Sequence, residues 1–119
     1  VAKVLVVEDE MLITIWVEDA LRDAGYEVVS AADADAAIAI LESDRSISLV
    51  FTDIDMPGSM DGLKLAAAVR DRWPPVHIVI ASGKRVPDRV EMPERAVFLP
   101  KPYLPIDMLT AINSAASAH

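Results

Sequence analysis

Short apolar runs alternate with helix-spaced patterns along the whole chain. The runs at residues 3 to 7, 26 to 30, 48 to 53, 76 to 81 and 96 to 99 have the length and flanking breakers of buried strands. Between them, apolar residues spaced three and four apart predict helices at about 10 to 24, 33 to 43, 60 to 72 and 104 to 117. Gly25 suits the position just past the first helix, and Asp33 suits the N-cap of the second. Trp73-Pro74-Pro75 stops the third, and Pro105 fits the first turn of the last. A further helix belongs in residues 83 to 95, but Pro87 and Pro93 leave room for only about one turn, so it is expected to be short or irregular. This alternation implies an α/β domain of parallel strands joined by right-handed crossover helices.

On the first helix, Ile13, Trp16, Val17, Ala20, Leu21 and Ala24 share one face, expected to lie in the core. Met11, Leu12 and Ile15 fall on the opposite side, with Glu18, Asp19, Arg22 and Asp23. They read either as scattered surface hydrophobes, which are common, or as a small docking patch for a partner.

The strand ends carry the candidate chemistry. Glu8-Asp9 follow the first strand, Asp53 closes the third, Ser82 follows the fourth and Lys101 the fifth. In one parallel sheet these sites converge on the carboxyl edge, where open α/β sheets bind ligands. Three acids, a hydroxyl and an amine there describe a divalent-metal and phosphoryl site. An aspartate can attack phosphorus and become an acyl phosphate once a cation and a fixed amine offset the repulsion of like charges. Mg²⁺ takes hard oxygen ligands, which Glu8, Asp9 and Asp53 supply, while Ser82 and Lys101 each suit a phosphoryl oxygen. Each residue alone is an ordinary cap or turn residue; the set, at four strand ends in this order, is far more specific.

Composition narrows the classes. A chain of 119 residues with 53% apolar and 25% charged positions suits one folded domain. A net charge of -8 argues against nucleic-acid or anionic-membrane binding by this domain. There is no membrane-length apolar stretch and no visible signal peptide. With no cysteine, disulfides and thiolate zinc sites are excluded. Val1 in place of methionine leads us to expect a trimmed or processed start, and a continuation past His119 stays open. His77 and His119 read as structural, and Lys84, Arg85, Arg89 and Arg95 as a loose basic surface cluster.

Taken together, Val7-Glu8-Asp9, Asp53 with Met56-Pro57 and Met60-Asp61-Gly62, Ala81-Ser82-Gly83 and Lys101-Pro102 resemble the receiver domain of two-component response regulators. The resemblance covers nearly the whole chain, as a single receiver domain at residues 1–119. It implies a three-layer, doubly wound (βα)5 flavodoxin-like fold with a five-stranded parallel sheet in the order 2-1-3-4-5. It also implies that Asp53 is the phosphoacceptor and that Glu8, Asp9, Asp53 and the Asp55 carbonyl hold Mg²⁺ or Mn²⁺. Ser82 and Lys101 would bind the phosphoryl group, Ser82 and Phe98 would form the switch, and the Lys101–Pro102 bond would be cis. The phosphoryl donor would be a histidine kinase or histidine phosphotransfer protein, with an unknown downstream protein as output, all in the cytoplasm. Such a protein is mainly a signalling switch, with self-catalysed phosphotransfer and autodephosphorylation.

Three departures stand out. Glu8 is one methylene longer than the more usual aspartate, two residues separate Pro57 from Met60 where one is common, and the fourth crossover is proline-bounded. Two other readings compete. Asp53-Ile54-Asp55 superficially matches the nucleophile motif of haloacid-dehalogenase-like phosphatases or phosphotransferases, and a pseudo-receiver would only bind partners.

Overall fold

The structure is a computed structural model and describes residues 2–55, 61–83 and 96–117. Five strands form one sheet: β1 (Lys3–Val7), β2 (Glu27–Ala31), β3 (Ile47–Asp53), β4 (His77–Ser82) and β5 (Val97–Pro100). Every pairing is parallel, and the strand order is β2-β1-β3-β4-β5, as expected. The described helices are α1 (Met11–Asp23), α2 (Ala34–Ser43), α3 (Gly62–Arg72) and α4 (Pro105–Ser117). The expected short helix between Pro87 and Pro93, the basic cluster at Lys84 to Arg95, and Met56 to Met60 lie outside the described residues.

Strand alternation divides the core into two layers. Leu5, Val7, Val50, Ile78 and Ile80 face a layer with Leu41 of α2 and Leu65 and Val69 of α3. Val4, Val6, Leu49, Phe51 and Val79 face the opposite layer with Val17 and Leu21 of α1 and Met108 and Ile112 of α4. With both faces covered, the central strands are largely apolar; β3 also holds Ser48 and Thr52, whose hydroxyls bond backbone carbonyls, and charged groups stand at the strand ends.

The local signals hold. Gly25 has a φ of 95°, its N–H donates to the Arg22 carbonyl, and the Tyr26 N–H donates to the Leu21 carbonyl. These two bonds close α1 in a left-handed cap that glycine adopts without strain. Asp33 caps α2 by accepting from the Ala36 N–H at 2.8 Å, and Asp61 caps α3 by accepting from the Lys64 N–H at 2.9 Å.

One expectation fails. Trp16 and Ala24, placed by periodicity on the core face of α1, are exposed. Val17 and Leu21 reach the sheet, whereas Trp16 lies against Tyr103, with ring centroids 5.6 Å apart. A helical wheel knows the angle of a residue but not whether the sheet extends beneath that turn. Here the partner surface at Trp16 is the turn after β5.

Candidate functional site

The rim is set by backbone pairing before any side chain is considered. The Glu8 N–H donates to the Ala31 carbonyl, Ile54 N–H to the Ala81 carbonyl, and Lys101 N–H to the Ser82 carbonyl, each at 3.0 Å. Register places Val7 beside Thr52, Asp53 beside Ala81, and Ser82 beside Pro100. Glu8, Asp53, Ser82 and Lys101 therefore stand on four neighbouring strand ends, as their sequence positions predict. Ser82 is the last residue of β4 rather than the first after it, and it is buried.

At the centre, the Lys101 Nζ donates to Asp53 Oδ2 at 2.7 Å and lies 3.9 Å from Glu8 Oε1. Oδ1 of Asp53 accepts the Asp55 N–H at 3.2 Å, and the Ser82 hydroxyl donates to Asp55 Oδ2 at 3.4 Å. Carboxylate oxygens of Glu8, Asp9 and Asp53 lie within 4.8 Å of one another. The Lys101–Pro102 peptide is cis.

Charge is unbalanced here. Burial drives the Glu8 carboxyl from 4.5 up to about 7, with Asp53, Asp9 and Glu10 pushing the same way and Lys101 opposing. Burial disfavours the Lys101 ammonium, but the hydrogen bond and charge of Asp53 and the charge of Glu8 outweigh it, and its pKa is raised. Glu8 Oε2 is buried without a hydrogen-bond partner among the described residues. An orphaned carboxylate oxygen in a cluster of hard oxygen donors fits a divalent cation such as Mg²⁺.

The remaining expected residues are near the rim or on the adjoining surface. Phe98, on β5, is partly buried against the layer formed with α2 and α3. Met11, Leu12 and Ile15 are exposed by 76%, 83% and 48%, and Leu104 and Ile106 near the start of α4 are also exposed.

Tyr103 escaped the sequence reading, and Gly62 entered it only within the Met60-Asp61-Gly62 motif, with no role of its own. Tyr103 packs between Trp16 and Phe51 and lines the cavity beside Glu8 and Asp53. An aromatic two positions after the rim lysine was the available signal. Gly62 opens α3 directly beneath Asp53: a Cβ there would lie 2.0 Å from the Asp53 carbonyl oxygen and 2.8 Å from the Ile54 Cα. Its N–H donates to the Ile54 carbonyl at 2.9 Å. A glycine at the first helical turn, where propensity disfavours it, was the clue.

Comparison with known proteins agrees with this geometry. Residues 4–113 match the family model described as the response regulator receiver domain. The response regulator protein FleR of Pseudomonas aeruginosa is 35% identical over 105 residues, which is 86% of this chain and 22% of that protein. The transcriptional regulatory protein PdtaR of Mycobacterium tuberculosis is 34% identical over 120 aligned residues, covering 97% of this chain and 57% of its own length. The chain thus spans from about a fifth to just over half of these relatives. The crystal structure of a response regulator receiver domain protein from Clostridium thermocellum superposes with a TM-score of 0.88 at 30% identity, covering 98% of this chain and 94% of that one.

Proposed function

The chain belongs to the response regulator receiver family, and from that premise we propose that it is a phosphorylation-dependent switch with Asp53 as phosphoacceptor. The observation that carries this reading is one ammonium, Lys101, held 2.7 Å from Asp53 in a cluster with two further acids. A carboxylate oxygen of Asp53 attacks the phosphorus of a phosphohistidine on a kinase or phosphotransfer protein. The P–N bond breaks as the O–P bond forms, and the imidazole leaves with the electron pair. Lys101 then pairs with a phosphoryl oxygen. Attack by water on the same phosphorus returns the aspartate and inorganic phosphate.

Glu8, Asp9 and Asp53, with the Asp55 carbonyl, would hold Mg²⁺ or Mn²⁺. When bound, the cation supplies the positive charge that the acids and phosphoryl oxygens lack. In the switch, the Ser82 hydroxyl exchanges the Asp55 carboxylate for a phosphoryl oxygen, and Phe98 moves into the space released. The downstream protein then reads the altered surface, in the cytoplasm. The family leaves the haloacid-dehalogenase-like reading without support, and the complete acid, hydroxyl and amine set argues against a pseudo-receiver.

With Mg²⁺ and a small-molecule phosphodonor, the protein should gain one acid-labile, hydroxylamine-sensitive phosphate, absent from Asp53→Asn. Full labelling of that variant would refute the assignment. The exposed Met11, Leu12 and Ile15 are proposed as the docking patch for the histidine protein. Met11→Asp or Ile15→Asp should slow transfer from that partner about tenfold, the scale of one lost interface anchor. Labelling by the small donor should stay near wild type, and equal slowing with both donors would remove the patch from the account.

A further inference from the structure

A small cavity of about 10 Å³ lies between the site and the layer formed with α1 and α4, lined by Glu8, Ile13, Phe51, Thr52, Lys101 and Tyr103 among others. That volume is at the lower bound for one water molecule, which also needs polar partners. Glu8 supplies one: it is 6% exposed, and its Oε2 is buried without a hydrogen bond among the described residues. Two donors on the wall are turned to Asp53, which also lines the cavity. Lys101 donates to Asp53 Oδ2 at 2.7 Å, and the Thr52 hydroxyl donates to the Asp53 carbonyl at 3.0 Å.

Tyr103 carries the other hydroxyl among the lining residues, beside the further N–H groups of the Lys101 ammonium. Its ring is fixed between Phe51, at a centroid distance of 6.0 Å, and Trp16, at 5.6 Å. We propose that the Tyr103 hydroxyl, through one water in this cavity, holds the Glu8 carboxylate in the orientation that a divalent cation needs. Tyr103 is then a positioning residue for the metal, a role that rests on the proposed function above. Burial and the charges of Glu8 and Asp53 push the phenol pKa upward, which keeps the hydroxyl protonated and able to donate. Ligating carboxylates commonly have such a partner behind them, and losing it weakens metal binding while the ligands themselves stay in place.

Calorimetric titration with Mg²⁺ tests this on the whole chain. Tyr103→Phe keeps the ring contacts, so its melting temperature without metal should match wild type, while its Mg²⁺ affinity falls about tenfold. In a Glu8→Gln background the same change should have no further effect, because the hydroxyl acts through that carboxylate. Wild-type affinity in Tyr103→Phe, or an equal loss in both backgrounds, overturns the proposal. So does a fall in melting temperature that accounts for the weaker binding. A wild-type protein that takes up no Mg²⁺ overturns both this inference and the metal part of the proposed function.

Discussion

Two lysine–aspartate bridges stand at opposite ends of the sheet. At the amino end, Lys3 Nζ meets Asp44 Oδ2 at 2.5 Å; at the carboxyl end, Lys101 Nζ meets Asp53 Oδ2 at 2.7 Å. As pairs they are nearly the same. Their surroundings make them opposites. Asp44 is matched one to one, and the hydrogen bond from Lys3, followed by those from Ser46, holds its carboxyl down to about 2. Lys101 instead serves Asp53 with Glu8 and Asp9 close by, and burial leaves Glu8 raised to about 7. The first bridge is complete. The second has an excess of negative charge that a proton on Glu8 or a second cation would relieve, and this excess marks a candidate binding site rather than an ordinary ion pair.

The strongest way to break the comparison is to remove each lysine. Lys101→Ala should slow labelling by a small phosphodonor on the order of 10²-fold, the usual loss when one group stabilising developing charge is deleted. Lys3→Ala should leave the rate unchanged, since partly exposed surface pairs contribute little. Similar losses in both variants would mean that Lys101 acts through the fold.

Divalent cation should also separate the two ends. At a hundredfold excess over its Kd, Mg²⁺ adds about 2.7 kcal/mol of stability, a rise on the order of 10 °C in melting temperature. Asp9→Ala should lose most of that rise and Asp44→Ala none of it. A full rise in Asp9→Ala would place the ion elsewhere.

The smallest expected effect is the response to pH, and its sign differs between the ends. The folded pKa of Glu8 is raised, so its contribution is fully present below about 4.5 and lost as pH rises through about 7. The folded pKa of Asp44 is lowered, so its contribution is present above 3.8 and lost as pH falls through about 2. Metal-free melting temperatures followed from pH 5 to 8 should therefore decline in wild type and flatten in Glu8→Gln. An unchanged slope in that variant would show that another group controls it.

The sequence made the sheet legible because strands covered on both sides seldom hold charged residues in their interior, so Glu8, Asp53 and Lys101 marked strand ends, whereas a hydroxyl such as Thr52 is buried within β3. Errors of one residue arose where pairing overrides side-chain character. Ser82 looks like a turn residue but remains in β4 because β5 continues beside it, Ser82 against Pro100. Trp16 was misplaced because its neighbour is set by tertiary structure: it packs on Tyr103, far along the chain. Tyr103 itself belongs to no apolar period, and its relevance follows from where the turn after β5 carries it.

Gly62 has a consequence for any map of tolerated substitutions. Even the smallest side chain would set a carbon 2.0 Å from the Asp53 carbonyl oxygen, with backbone rather than a flexible side chain as the obstacle. In a saturation library scored for signalling, position 62 should be as intolerant as Asp53, although glycine has no functional group. Such a map, seen without coordinates, would suggest a reactive residue where the requirement is only for empty space.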